Sequence, residues 1–188
     1  MYRLYISTEI QSFSLDDALQ EISAERREKA LTYKFEQGRR ECVLAYLLLK
    51  KALKETFGIE GNPVLIEQEG GKPVLKDFPN IHFNISHCKE AVACVVGDEP
   101  LGVDVERIRE YSEQLAHYTL NEEELQEVQN SAYPAKTFIR FWTMKESLLK
   151  YTGQGIRDDL KTVLNTKDVI FDTQEEKDFI VTVCRKAR

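Results

Sequence analysis

Residues 101–106 read Leu101-Gly102-Val103-Asp104-Val105-Glu106, a run in which apolar and acidic side chains alternate. Because successive side chains of a β-strand point to opposite faces, the run predicts a strand with Val103 and Val105 on one face and both carboxylates on the other. The strand rise separates the Cα atoms of Asp104 and Glu106 by about 6.5 to 7 Å, so both side chains can reach one hard cation. An ordinary strand with a solvated polar face is the alternative interpretation.

A second segment offers this strand a partner. It reads Trp142-Thr143-Met144-Lys145-Glu146-Ser147-Leu148-Leu149-Lys150. At about 100° per residue it predicts a helix whose polar side chains form one stripe, namely Thr143, Glu146, Ser147 and Lys150. The alternative is an exposed glutamate–lysine pair four residues apart, which stabilises a helix by only a few tenths of a kcal/mol. Lys145 falls among the apolar positions, where it either extends its amine to solvent or contacts a charged group.

A third group of residues has the side chains that a polyanion needs. Phe83-Asn84-Ile85-Ser86-His87 reads as a strand that runs into a loop, and Lys72 lies in the turn Gly71-Lys72-Pro73. A lysine on a turn, a hydroxyl, an imidazole and a helical lysine together suit a diphosphate whose oxygens a metal ion neutralises. Taken singly, His87 would more often be a hydrogen-bonded structural histidine and Lys72 an exposed side chain.

The pattern of elements predicts an α+β protein made of two similar lobes. A strand at residues 2–8 and one or two helical segments at 15–31 precede a long helix from Glu36 to Phe57, which Gly58 ends. Further strands are expected at residues 64–67, 73–75, 81–86 and 92–96. Gly97-Asp98-Glu99-Pro100 interrupts two apolar runs, so we expect lobes at residues 1–98 and 99–188.

The second lobe repeats the order strand, helices, strands. Asn121 caps a helix with three glutamates in its first turn. Pro134 suits the first position of a long helix that reaches about Tyr151 and is ended by Gly153 and Gly155. Short strands are predicted at residues 163–164, 169–171 and 179–184. The repeated order indicates two lobes of the same α+β architecture.

Composition excludes several classes of protein. The chain has 188 residues, of which 42% are hydrophobic, and no apolar run is long enough to span a membrane, so we expect a soluble globular protein with no membrane partner. The net charge of −6 argues against a nucleic-acid partner. The N-terminus lacks the features of a secretory signal, and the four cysteines lack the spacing of a zinc site. We therefore expect a cytoplasmic protein with reduced, mostly buried cysteines.

A basic stretch offers the local charge that an anionic ligand would need. It consists of Arg26, Arg27, Lys29, Lys34, Arg39 and Arg40. A solvated helix face with interspersed glutamates is the equal alternative for these residues.

The four segments quoted above, 71–73, 83–87, 102–106 and 142–150, occur in the order of known signature motifs. Together they resemble the motifs of the 4'-phosphopantetheinyl transferases of the surfactin-synthetase-activating type. The resemblance extends from the basic helix to Gly155 and leaves the last thirty or so residues without a motif. It implies a pseudo-twofold protein that binds coenzyme A in the cleft between its lobes.

The resemblance also implies roles for individual residues. Asp104, Glu106 and Glu146 would hold Mg²⁺, or alternatively Mn²⁺, against the diphosphate of coenzyme A. Lys150 would contact the same phosphates, and either Glu146 or a water held by the metal would take the proton of the attacking serine. The catalytic residues implied are thus Glu146, Lys150 and Asp104.

The other implied contacts are to the nucleotide end of coenzyme A. Lys72 would contact the adenine–ribose end, and Ser86 and His87 the region of the 3'-phosphate. Arg26 and Lys29 would lie near the nucleotide, and Arg40 is a further candidate.

The implied activity is transfer of 4'-phosphopantetheine from coenzyme A to a serine of an apo acyl or peptidyl carrier protein, with release of adenosine 3',5'-bisphosphate. A monomer is favoured, because the trimeric relatives of this class have chains of about half the fused length. Two alternatives remain open. One is a metal-dependent phosphoanhydride hydrolase acting on coenzyme A, and the other is a non-catalytic module that binds a carrier protein or a nucleotide.

Overall fold

A computed structural model describes residues 1–68, 71–153 and 160–187 of the chain. The elements of its first half are β1 (Tyr2–Ser7), α1 (Leu15–Glu21), α2 (Ala24–Leu31), α3 (Glu36–Phe57), β2 (Leu65–Glu67), β3 (Pro73–Leu75), β4 (His82–His87) and β5 (Val92–Gly97). Those of its second half are β6 (Leu101–Arg107), α4 (Glu113–Thr119), α5 (Glu122–Asn130), α6 (Pro134–Thr152), a 3-10 turn (Val163–Asn165), β7 (Val169–Glu175) and β8 (Phe179–Lys186).

Two three-stranded antiparallel sheets share one topology. The first has the order β1-β5-β4 and the second the order β6-β8-β7. In each sheet the strand that comes first in the chain pairs with the strand that comes last, and the last strand also pairs with the one that precedes it in the chain. A long helix joins the first strand to the following hairpin in both cases, α3 against β5 and α6 against β6 and β8. The predicted α+β class is confirmed.

The two long helices begin and end where local chemistry predicts. Gly58 follows α3 with φ of 69° and Gly153 follows α6 with φ of 70°. Both residues adopt the left-handed conformation that glycine accepts without steric cost, so each helix ends in a glycine cap. Pro134 is the first residue of α6, where its missing N–H would have no partner in any case. Gly155 lies outside the described residues.

Some predicted boundaries were wrong. Residues 163–164 were expected in a strand but form part of the 3-10 turn. The helix α4 was not expected from the sequence. Asn121 caps α5 as predicted, and its side chain and that of Glu124 form a reciprocal capping box. The helical segment at residues 15–31 is two helices, each capped by a serine.

Strand β5 contributes to two cores because its side chains alternate between faces. Val92, Cys94 and Val96 pack under α3, in a cluster with Leu49 and Leu53. Their neighbours Ala93 and Val95 pack against the second sheet, in a cluster that also contains Val103, Val105, Val181 and Val183. The two sheets therefore meet through a buried apolar layer, and the valine face predicted for β6 lies in it.

The acidic face of β6 is turned toward α6. A Cβ atom at Gly102 would lie 2.1 Å from the carbonyl oxygen of Ser147, so only glycine permits this approach of strand and helix. The side-chain oxygen of Asn84 accepts a hydrogen bond from Val103 N at 2.8 Å and ties β4 to β6. These contacts bring β4, β6 and α6 together at the junction of the lobes.

The cysteines and the helices bear on two further expectations. Cys42, Cys94 and Cys184 are buried thiols and Cys88 is half-buried, as predicted, and none forms a disulfide within the described residues. Over those same residues, no helix combines the length and the apolar character that crossing a membrane requires.

Candidate active site at the lobe junction

Two polar side chains from two other elements converge on Asp104 of β6, which is only 4% exposed. Ser86, at the end of β4, donates a hydrogen bond to Asp104 Oδ1 at 2.8 Å. The Lys150 ammonium, from the last turns of α6, donates to the same oxygen at 2.7 Å and to Ser86 Oγ at 2.8 Å. The fold thus assembles residues that are 18 and 46 positions from Asp104 in the chain.

The two glutamates of the sequence prediction share the electrostatic field of Asp104. Burial raises the pKa of Glu106 above its ordinary value, and the charge of Asp104 raises it further. Burial and then Asp104 raise the pKa of Glu146 in the same way. Neighbouring carboxylates that disfavour one another's ionisation lie close in space. Both glutamates therefore lie within the electrostatic reach of Asp104.

The donor set fits a hard divalent cation. Asp104 Oδ2 is buried and accepts no hydrogen bond from any described residue, which is a costly state for a carboxylate oxygen. Half-buried Glu106 and Glu146 add further oxygen donors of the kind that Mg²⁺ and Mn²⁺ prefer. In the described part of the chain, no three His, Cys, Asp or Glu side chains already have a metal-binding arrangement. Lys150 instead supplies the positive charge at Asp104.

A cavity at the edge of the first lobe contains two of the predicted cationic residues. It has a volume of about 120 Å³ and is lined by Ser23, Glu25, Arg26, Lys29, Tyr46, Pro63, Leu65, Glu67, Gly71 and Pro73. The guanidinium carbon of Arg26 lies 5.7 Å from the centre of the Tyr46 ring. Arg26 Nε is buried and has no hydrogen-bond partner among the described residues. A buried donor beside an aromatic ring and a second cation suits a planar anionic ligand.

His87 connects this basic group to the acidic site. Its Nδ1 atom lies 3.2 Å from Oε2 of Glu41 on α3. Burial lowers the pKa of His87, and so do the nearby charges of Lys150 and Arg26, whereas Glu41 and Asp104 oppose that change. His87 therefore lies within the electrostatic reach of both Arg26 and Asp104.

Two predicted ligand contacts have other partners in the structure. The Lys72 ammonium donates to the carbonyl oxygens of Lys150 at 2.8 Å and Tyr151 at 3.3 Å, at the C-terminal end of α6. Arg40 donates to Glu36 at 2.8 Å and to the carbonyl oxygen of Phe13 at 2.8 Å. Lys72 and Arg40 thus donate hydrogen bonds to acceptors of the protein itself. Neither residue lines the cavity that contains Arg26 and Lys29.

Sequence reasoning missed the partners of two charged residues. Lys145 is 1% exposed, and its ammonium lies 2.8 Å from Oε2 of Glu124 and donates to the Leu160 carbonyl oxygen at 2.8 Å. Of the two interpretations of Lys145, contact with a charged group is therefore correct. The other missed pairing is that of His87 with Glu41. The sequence marks Glu124 only as part of a capping box and does not mark Glu41 at all, because both pairings join elements that are distant in the chain.

Comparisons with known proteins give a consistent family. A family profile described as the 4'-phosphopantetheinyl transferase superfamily matches residues 100–188. A second profile, described as the N-terminal part of a 4'-phosphopantetheinyl transferase, matches residues 10–99. Together the two matches cover nearly all of the chain.

Curated relatives carry the same description. A 4'-phosphopantetheinyl transferase of Bacillus pumilus is 32% identical over 138 residues, which are 72% of this chain and 59% of that protein. The 4'-phosphopantetheinyl transferase Sfp of Bacillus subtilis strain 168 is 26% identical over 83% of this chain and 71% of its own length. A 4'-phosphopantetheinyl transferase of a Nostoc species is 32% identical over 76% of this chain and 64% of its own length. The chain thus spans about 60 to 70% of the length of these relatives.

Proposed function

Because the chain belongs to the 4'-phosphopantetheinyl transferase superfamily, we propose that it moves the 4'-phosphopantetheine group of coenzyme A to a serine of an apo carrier protein. Adenosine 3',5'-bisphosphate is the other product. The observation that carries the proposal is the convergence of Ser86 and Lys150 on Asp104, with Glu106 and Glu146 inside the same electrostatic field. That arrangement joins a cationic donor for phosphate oxygens to carboxylates suited to a divalent metal.

Coenzyme A spans the two lobes in this proposal. Its nucleotide end occupies the cavity with Arg26 and Lys29, and its 3'-phosphate lies by Ser86 and His87. The Nε atom of Arg26, which is buried and has no hydrogen-bond partner among the described residues, supports this placement, since an anion would satisfy that donor. Lys72 supports the site indirectly, because its ammonium fixes the end of the helix that carries Lys150.

Asp104, Glu106 and Glu146 are the proposed ligands of Mg²⁺. The bound ion would neutralise diphosphate oxygens and stabilise charge that develops on them during phosphoryl transfer. The Oδ2 atom of Asp104, which has no hydrogen-bond partner among the described residues, supports this assignment, because it could coordinate a metal ion while Oδ1 keeps its contact with Ser86.

The residues of the chain account for the other steps. The carrier serine attacks the phosphorus on the pantetheine side, a serine–phosphorus bond forms, and the bond to the bridging diphosphate oxygen breaks. Lys150 releases Asp104 and donates to the phosphate oxygens. Glu146 takes the serine proton as it is transferred from the attacking hydroxyl. The leaving bisphosphate stays paired with Arg26 and His87 until it departs.

The proposed lobes are residues 1–98 and 99–188, and the protein is proposed to act as a monomer. The repeated sheet order supports this division, as does the change of family match between residues 99 and 100. The apolar layer between the sheets supports a monomer, because it already buries the inner face of both lobes.

Mass spectrometry of a carrier protein tests the function. Purified protein, coenzyme A, Mg²⁺ and an apo acyl or peptidyl carrier should give a carrier heavier by one phosphopantetheine group. The matched control is the same carrier with its acceptor serine replaced by alanine, which should keep its mass. Unchanged mass across several carriers refutes the proposal. Release of free phosphopantetheine without a carrier would indicate a hydrolase, and coenzyme A binding that ignores Mg²⁺ would indicate a non-catalytic module.

A further inference from the structure

The carboxylate of Glu41 lies beside His87, where the proposed function places the negatively charged 3'-phosphate of coenzyme A. Oε2 of Glu41 is 3.2 Å from Nδ1 of His87, and the Glu41 side chain is 15% exposed while that of His87 is 41% exposed. Gln37, one turn earlier on α3, donates a hydrogen bond from Nε2 to Oε1 of Glu41 at 2.7 Å. Glu41 is therefore held in place at the imidazole by a neighbour on its own helix.

Charged groups from four elements surround His87. Lys150 of α6 and Arg26 of α2 oppose its protonation, and Glu41 of α3 and Asp104 of β6 favour it. Burial outweighs the two carboxylates, so the pKa of His87 lies below its ordinary value of 6.5. Without a ligand, His87 is thus mostly neutral at neutral pH, with the Glu41 side chain beside it.

The arrival of a phosphate changes this balance. A phosphate monoester carries nearly two negative charges above about pH 7. Glu41 contacts Nδ1 of His87, so a phosphate placed at the other ring nitrogen would have the imidazole between itself and the Glu41 carboxylate. One proton taken up by the imidazole would make its contacts with both anions attractive. Because an imidazolium between two anions is favoured, the ligand raises the pKa of His87 and the protein takes up a proton from solvent.

We propose that Glu41 couples binding of the 3'-phosphate of coenzyme A to uptake of a proton by His87. Glu41 is thus a specificity-determining residue, since it opposes the phosphate when His87 is neutral and supports the imidazolium when the phosphate is bound. The inference rests on the proposed function, which places this phosphate at His87. Because binding takes up a proton, the affinity for coenzyme A should decrease as pH rises.

Isothermal titration calorimetry measures the coupling directly. Coenzyme A and 3'-dephospho-coenzyme A are titrated into the protein at about pH 8, in buffers of different ionisation enthalpy, so that the slope of heat against that enthalpy counts the protons bound. At this pH the 3'-phosphate is fully ionised and releases almost none. The variants are Glu41→Gln, His87→Gln and the control Glu55→Gln. Glu55 is an exposed residue of the same helix, about 21 Å further along its axis, and its replacement gives the same change of charge.

The unchanged protein and Glu55→Gln should take up roughly one proton with coenzyme A and little with the dephospho compound. Both Glu41→Gln and His87→Gln should lose most of this uptake. Glu41→Gln should also weaken the dependence of coenzyme A affinity on pH around pH 8, because the coupled proton is no longer taken up, and it should bind the dephospho compound as the parent does.

Three results overturn the inference while leaving the proposed function intact. They are equal proton uptake for the two ligands, uptake that survives Glu41→Gln, and a pH dependence of coenzyme A affinity that Glu41→Gln leaves unchanged. Absence of coenzyme A binding by the unchanged protein would instead refute the proposed function and, with it, the location of the phosphate. Circular dichroism of each variant confirms that it is folded before titration.

Discussion

Replacing Lys145 by methionine should destabilise the protein far more than any exposed lysine or arginine replacement on the same helix. The Lys145 and Glu124 side chains are 1% and 8% exposed, and the ammonium contacts both carboxylate oxygens at 2.8 and 3.0 Å. Methionine preserves the apolar stem but removes the ammonium, so buried Glu124 keeps the hydrogen bond from the Asn121 N–H and loses its ionic partner. Breaking a buried pair in this way costs about 3 to 5 kcal/mol.

That cost corresponds to a fall in melting temperature of about 6 to 20 °C for a chain of this size. The matched control is Arg140→Met, also on α6, which removes the ion pair with Glu127. The side chains of that pair are 35% and 54% exposed, so its loss should cost about 1 kcal/mol or less. Urea denaturation at pH 7, followed by circular dichroism, measures both changes in free energy of unfolding.

The double variant Lys145→Met with Glu124→Gln separates loss of the pair from loss of packing. Neutral glutamine removes the unpaired buried charge, so we expect the double variant to recover at least half of the single variant's loss. If Lys145→Met and Arg140→Met destabilise equally, or if Glu124→Gln gives no recovery, the buried pair does not stabilise the fold as argued here.

Three further predictions concern the acidic site and its supporting strand. Glu106→Gln and Glu146→Gln should each remove most of the transfer activity while keeping the fold. The pKa of both glutamates is raised in the folded state, so ionisation of these side chains destabilises the folded protein as pH rises through the folded-state pKa. Each variant should therefore be at least as stable as the parent at pH 7 in urea denaturation. A large loss of stability would instead mark the residue as structural. The rate of carrier modification should fall as the pH decreases through the pKa that Glu146 has in the complex with metal and coenzyme A, and an acid limb that persists unchanged in the residual activity of Glu146→Gln would contradict its role as base. Gly102→Ala should cost about 2 to 3 kcal/mol, since its Cβ would overlap the carbonyl oxygen of Ser147, and a calorimetric melting temperature equal to the parent's would show that strand and helix separate without cost.

Local patterns predicted the elements that carry the site. Alternation in β6 placed Val103 and Val105 on the face that became the layer between the lobes, and the acidic side chains on the face toward α6. Helical spacing placed Glu146 and Lys150 on one stripe of α6. Lys150 contacts Asp104 directly, and the charge of Asp104 raises the pKa of Glu146. Such patterns are readable because backbone geometry fixes which side chains share a face, whatever surrounds them.

Short segments with mixed signals were predicted less well. Residues 163–164 have the β-branched and aliphatic composition of a strand, yet they lie in a 3-10 turn after the end of α6. Propensity is weak for so few residues, and the tertiary surroundings override it.

The sequence by itself determined the α+β class, the limits of the long helices and the family motifs, and it singled out the acidic residues as candidates. Tertiary structure alone decided which partner each charged side chain has: Lys150 with Asp104, Lys145 with Glu124, His87 with Glu41, and Lys72 with the carbonyl end of α6. The physical reason is that periodicity follows from dihedral angles repeated along a few neighbouring residues. A pairing between distant residues depends instead on how whole elements pack, how deeply each charge is buried and which acceptors remain within reach.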